Sequence, residues 1–310
     1  MQIPRLGLEE WGELSEVFRL ESKSRKAPKP DTVGSSVETW GWEKMVELGR
    51  HNPELKRLRR LLASRRSREE EGAFVVEGPK LIGEALEAGI LLEAVYLRRG
   101  ALTESRFGEL LSGLNKQGVA MYEVPEAAMV GREGARTPPP MVAVAKTPSR
   151  PRPPWRSLGL GIAALGIADP ANAAGLLRLA WATGAGAAFV DGVDLYSPKV
   201  VRGSAGALFR VAVEAKLELD ALVGELRQEG LRIIASAPRA EHAFWEEDLR
   251  APFVLLVGSE AHGLSPQAYG AADAVVGVPM PGGAESLNVV VAAAVVCYEA
   301  LRQRTLRSLP

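Results

Sequence analysis

The spacing of apolar and polar positions changes character several times along the chain. Through NPELKRLRRLLASRRSREEEG, leucines recur three and four apart among arginines, which predicts a basic helix from Asn52. AFVVEG then reads as a short strand, PKLIGEALEAG as an amphipathic helix and LLEAVYL as a further strand. MVAVA predicts another short strand, and the proline-dense KTPSRPRPPW behind it cannot continue a helix or a central strand. Beyond that break the apolar runs LGLGIAALGIA, GAAFVDG, LRIIASA, PFVLLVGSE and AVVGVPM alternate with the helical stretches AAGLLRLAWATG and LDALVGELRQEG. Such alternation predicts an α/β fold whose second half is a mostly parallel, helix-covered sheet. No fixed-period repeat points to a solenoid.

These shifts divide the chain. Residues 1–48 are expected to be an N-terminal extension, flexible at SKSRKAPKPDTVGSS, where Pro, Ser and Lys separate short stretches bearing Trp11 and Trp40. A small α/β domain is expected over 49–147, a linker over 148–157 and a second α/β domain over 158–310. A chain of 310 residues with 46% hydrophobic and 25% charged residues can bury cores for about two such domains.

Charge narrows the partners. Lys plus Arg and Asp plus Glu both number 38, so the formal net charge is zero and any nucleic-acid affinity must come from local patches. The single cysteine, Cys297, lies in the apolar run VVVAAAVVCYEAL, which excludes an intramolecular disulfide and a cysteine zinc cluster. His51, His242 and His262 are too scattered to propose a metal site, so none is expected. The amino terminus lacks a cationic start followed by an apolar core, and no apolar run approaches the roughly 20 residues of a bilayer span. A cytoplasmic protein without a membrane anchor is expected.

Three blocks put glycine and polar residues directly after buried strands, where open α/β sheets place ligand sites. They are ADPANAAGLLRLAWATG, LLVGSEAHGLSP and VPMPGGAESLNVVVAAAVVCYEALRQR. In the first, Asn172 and Arg178 can both reach the strand's carboxyl edge, although Asn172 as a helix cap and Arg178 as a solvated arginine fit the same text. In the second, Ser259, Glu260 and Gly263 predict a tight turn with a carboxylate beside exposed backbone N–H groups; a helix-start carboxylate is the alternative. In the third, a helix begins near Leu287, with Ser286 or Asn288 placed to cap its orphan amides. GAGAAF lacks the third glycine of a dinucleotide fingerprint and no GxxxxGKS/T stretch exists, so NAD and ATP lose support.

Taken in order, NAAGLLRLAWATG, VGSEAHGL and VPMPGGAESLNVVVAAAV resemble the three signature motifs of the SpoU/TrmH family of 2′-O-ribose RNA methyltransferases. DLYSPKVVRGSAGALFRV resembles the family's segment between the first two motifs, and NPELKRLRRLL with FVVEGPKLIGEAL resembles its amino-terminal substrate-binding domain. The chain departs from the family at Ala174, where glycine is usual, and at Leu179, where threonine is common.

The resemblance implies a knotted (trefoil) parallel-sheet methyltransferase domain preceded by a small α/β substrate-binding domain. It implies S-adenosylmethionine as cofactor, held by Gly258, Glu260, Gly263, Val278, Met280, Ser286, Leu287 and Asn288. It places Arg178 at the reacting 2′-hydroxyl, with Asn172, Glu260, Ser286 and Asn288 in the same site. RNA contact is expected on Lys56, Arg57, Arg59, Arg60, Arg65, Arg66 and Arg68, a locally basic surface on a neutral protein, and on Lys199 and Arg202 beside the site. RNA, ribosomal rather than transfer, is the expected partner, and a homodimer through the final helix is implied. A tRNA 2′-O-methyltransferase, an RNA base methyltransferase of the same superfamily and a non-catalytic RNA-binding protein remain open alternatives.

Overall fold

Two sheets, one on either side of the proline-dense segment, organise the chain. The computed structural model describes residues 46–49, 52–101, 104–126, 138–149, 153–259 and 261–305, which belong to one compact unit. The expected extension lies outside the described residues apart from 46–48.

The first sheet contains β1 (Val46–Glu47), β2 (Ala73–Glu77), β3 (Leu92–Arg98), β4 (Ala120–Val124) and β5 (Met141–Lys146). Their order is β1-β4-β3-β5-β2; β1, β4 and β3 run parallel, and β5 is antiparallel to both β3 and β2. α1 (Pro53–Ala63) turns Leu55, Leu58 and Leu61 onto this sheet, beside Val75, Val144 and Tyr96. The basic stretch expected as one helix is two. Ser64 leaves helical geometry at φ −124° and ψ 118°, and its hydroxyl accepts a bond from Ser67 N to start α2 (Arg65–Glu71). α3 (Pro79–Glu87) and α4 (Gly108–Lys116) complete this lobe.

The second sheet runs β10-β12-β9-β11-β6-β7-β8 and is parallel at every described pairing. The five expected runs form β6 (Leu160–Leu165), β7 (Gly186–Val190), β9 (Arg232–Ser236), β11 (Phe253–Gly258) and β12 (Ala274–Gly277). Three-residue β8 (Val213–Ala215) and two-residue β10 (His242–Ala243) extend the edges and carry too few positions to show a period in sequence. Around this sheet lie α5 (Trp155–Leu158), α6 (Pro170–Thr183), α7 (Pro198–Gly203), α8 (Leu219–Gln228), α9 (Pro266–Ala271) and α10 (Val289–Thr305).

Trp155, expected in the linker, is fully buried in this lobe's core. Its ring lies over two glycines: a Cβ on Gly161 would stand 2.7 Å from it, and one on Gly186 2.9 Å. Among the described residues no helix is long and apolar enough to cross a membrane.

Candidate functional site

Three segments meet at the carboxyl edge of the parallel sheet. The first follows β11, where Gly263 N donates to Ser259 O at 2.8 Å and His262 N donates to the Ser259 hydroxyl at 3.3 Å. Gly263 sits at φ +65°, and a Cβ on Gly258 would stand 2.2 Å from the Gly263 carbonyl carbon. The turn therefore closes directly onto the strand end, and glycine at 258 is what lets it close. Glu260 lies outside the described residues.

The second segment joins β12 to α10. Asn288 starts the helix: its Oδ1 accepts from Val290 N at 2.9 Å, so of the two expected caps it is Asn288 that serves. Its amide then reaches the third segment, donating from Nδ2 to Asn172 Oδ1 at 2.8 Å. Asn172 stands in the first turn of α6, is 7% exposed, and does not cap that helix; Asp169 does, accepting from Ala171 N at 2.9 Å. A Cβ on Gly175 would stand 2.7 Å from Val290 Cγ2, so this glycine lets α6 and α10 approach. The Ala174 departure is accommodated opposite Gly203, whose absent side chain leaves room for the alanine methyl.

A cavity of about 290 Å³ opens between the first two of these segments; no residue of α6, Asn172 included, lines it. Seven of the eight residues expected to hold a cofactor line it: Gly258, Gly263, Val278, Met280, Ser286, Leu287 and Asn288. Its floor adds Ser236, Ala237 and Pro238 from the end of β9, together with Tyr269 of α9, none of which the sequence singles out. The strand-ending SAP at 236–238 is a weak signal in sequence. It becomes meaningful only once β9 is known to lie between β11 and β12.

The lining carries no charged side chain among the described residues. Apolar Val278, Met280 and Leu287 beside the hydroxyls of Ser259 and Ser286 suit an adenosine joined to an amino acid. The absence of Lys and Arg suits a ligand without phosphate. The lining therefore fits S-adenosylmethionine and disfavours a dinucleotide.

Arg178 is not drawn into this cluster. Six residues beyond Asn172 the helix has turned by about 240°, so Arg178 points away from the Asn172–Asn288 pair. It is exposed and makes no hydrogen bond or ion pair among the described residues. Lys199 is likewise exposed, at the start of α7, whereas Arg202 pairs with Glu77 of the first sheet.

The expected RNA-binding arginines are mostly engaged. Arg57 bonds Glu71 at 2.6 Å and Glu93 at 2.7 Å, Arg60 meets Glu71, Arg65 pairs with Glu69, and Arg66 pairs with Glu70. Arg68 is buried against Asp194. Lys56 and Arg59 stay exposed without a partner among the described residues.

Two family models match the chain: the SpoU rRNA Methylase family over residues 159–298 and an MRM3-like substrate binding domain over 52–143. A 23S rRNA (uridine(2479)-2′-O)-methyltransferase of Streptomyces viridochromogenes is 33% identical over 263 residues, 82% of this chain and 91% of that protein. The crystal structure of an RNA 2′-O ribose methyltransferase superposes with a TM-score of 0.70 at 36% identity, covering 84% of this chain and 99% of its own. The SpoU methyltransferase AviRb from Streptomyces viridochromogenes, in complex with the cofactor AdoMet, superposes with a TM-score of 0.71 at 26% identity, covering 82% and 100%.

Proposed function

Since the chain belongs to the SpoU rRNA methylase family, we propose that it moves a methyl group from S-adenosylmethionine to a ribose 2′-hydroxyl of structured ribosomal RNA. The observation that carries this reading is the cavity at the carboxyl edge of the sheet, without a charged side chain among its described lining residues, whose Asn288 donates a hydrogen bond to Asn172. When bound, S-adenosylmethionine supplies an activated methyl group.

The remaining work falls to the chain. Gly258 and Gly263 let backbone groups of the turn approach the ligand, and Val278, Met280 and Leu287 offer an apolar bed. Glu260, Ser286 and Asn288 supply polar contacts. In-line transfer needs chiefly alignment of the ribose oxygen and loss of its proton. A guanidinium donates hydrogen bonds and accepts none, so the part of Arg178 is to orient a phosphate and stabilise the oxygen as the proton leaves, with Glu260 or water accepting that proton.

The exposure of Arg178 away from Asn172 supports an active site built from two chains. α10 packs on α6 and leaves Val291 and Tyr298, seven residues apart on one face, 48% and 53% exposed. That apolar face supports a homodimer formed through α10. The convergence of Gly258 and Gly263, of Val278 and Met280, and of Ser286 to Val289 on one cavity supports the trefoil knot implied by the resemblance. The division into an RNA-binding lobe (49–147), a linker from 148 and a methyltransferase lobe belongs to the same proposal, with the last boundary moved from 158 to 155 so that buried Trp155 joins the methyltransferase lobe, as does a cytoplasmic location. Of the cations expected to meet RNA, Lys56, Arg59 and Lys199 make no ion pair among the described residues and are offered for its phosphates, whereas Arg57, Arg60, Arg65, Arg66 and Arg202 stand in ion pairs.

Labelled methyl transfer to separated RNA fractions, followed by digestion to nucleosides, tests the reading. A ribose-methylated nucleoside from ribosomal RNA is the expected product. A methylated base would move the chain to a sister activity, and cofactor binding without transfer to any fraction would overturn the enzymatic reading.

A further inference from the structure

Arg68 stands in a run of arginines suited to RNA phosphates, yet it is 7% exposed and its guanidinium faces inward. Nε and Nη2 donate to Asp194 Oδ2 at 2.9 and 2.5 Å, and Nη1 donates to the Leu61 carbonyl at the end of α1. A buried, two-pronged pair of this kind fixes geometry more than it adds stability. It joins α2 of the first lobe to the loop after β7 in the second.

That loop leads to the site. Next to Asp194, Val193 N donates to Ile167 O at 2.9 Å, and Gly166 N donates to Val190 O at 2.9 Å. Gly192 packs so closely that a Cβ there would stand 2.3 Å from Ile167 O, and its own carbonyl accepts from Arg65 at 3.1 Å. Asp191 holds φ +60°, a left-handed conformation costly for a residue with a side chain. Two residues after Ile167 comes Asp169, which caps α6 and so sets where Asn172 meets Asn288.

We infer that Arg68 and Asp194 are positioning residues. Their pair ties the orientation of the first lobe to the loop after β7, and through that loop's backbone to the turn 166–169 that presents Asn172. Arg68 acts through Asp194 and contacts neither cofactor nor RNA. This inference rests on the reading that the first lobe holds the RNA, so that an RNA seated there meets a site already in register.

The test is the double variant Arg68→Met with Asp194→Asn in the full chain, because removing both charges leaves no buried ion uncompensated. Hydrogen exchange at Gly166 and Val193 should accelerate by about tenfold while α8 is unaltered. S-adenosylmethionine affinity should stay unchanged, and kcat for ribosomal RNA should fall about tenfold with less effect on KM. Arg68→Lys, which keeps the charge but loses the two-pronged geometry, should reproduce the kcat loss should the double variant fold poorly. Unaltered exchange at both amides overturns the inference, as does a kcat equal to wild type in a folded variant. A wild-type protein that methylates no RNA would sink the functional reading instead, and the exchange measurement would then decide the positioning role alone.

Discussion

Arg178 and Cys297 mark opposite extremes of solvent contact, and each makes a prediction. Because Arg178 lies on the exposed face of α6 and lines no part of the cavity, Arg178→Ala should lower methyl transfer by about 10²- to 10³-fold. Calorimetry should show S-adenosylmethionine affinity unchanged; weakened binding would place the arginine in the pocket. Cys297 is wholly buried in α10, and burial pushes its thiol up to about 12. The folded state therefore favours the protonated thiol, so its contribution is intact below the ordinary thiol pKa and is lost as pH rises from there to about 12. Wild type should lose stability relative to Cys297→Ala on going from pH 8 to pH 11, followed by chemical denaturation. Equal slopes would show an accessible thiol. Asn172 shows what sequence could and could not say: its type and position were legible, but its partner stands 116 residues away, and only that partner separates a helix cap from a site residue.

Among elements, turns and helix starts were the most legible, since glycine and cap residues act locally. Gly258 and Gly263 are recognisable because a strand that stops in glycine can fold back on itself, and the structure shows the fold-back. Gly258→Ala should cost about 1–3 kcal/mol at that turn and abolish measurable cofactor binding, while the circular dichroism spectrum stays native. Retained affinity would show that the turn can move aside. Sheet order was not legible. Ser236 to Pro238 became part of the floor because β9 lies between β11 and β12, a long-range arrangement that no window of sequence carries. α10 exposes Val291 and Tyr298, so Tyr298→Glu should turn a dimer into a monomer in sedimentation. A variant that sediments like wild type would assign that face elsewhere.

For the whole molecule, the count of arginines overstated the charge available to RNA. The pairs Arg65–Glu69 and Arg66–Glu70 are written four residues apart and could be read directly, whereas Arg68–Asp194, Arg202–Glu77 and Arg210–Glu84 cross between lobes. Phe74 joins the same junction, its ring centroid 4.9 Å from that of Tyr196. On the basic helices, affinity should consequently lean on Lys56 and Arg59, which make no ion pair among the described residues. Replacing Lys56 and Arg59 together with alanine should reduce the dependence of log K on log salt by about 0.9 for each phosphate that these side chains neutralise. An unchanged slope in filter binding would move the RNA path to another surface.

Asn288 has an implication for timing. One carboxamide both starts α10 and holds Asn172 of α6, so the last described helix and the proposed methyl-transfer site come into being together. During synthesis α10 leaves the ribosome after every other described element. An enzyme whose substrate is ribosomal RNA is thus inactive toward the particle that is making it until α10 itself has been translated.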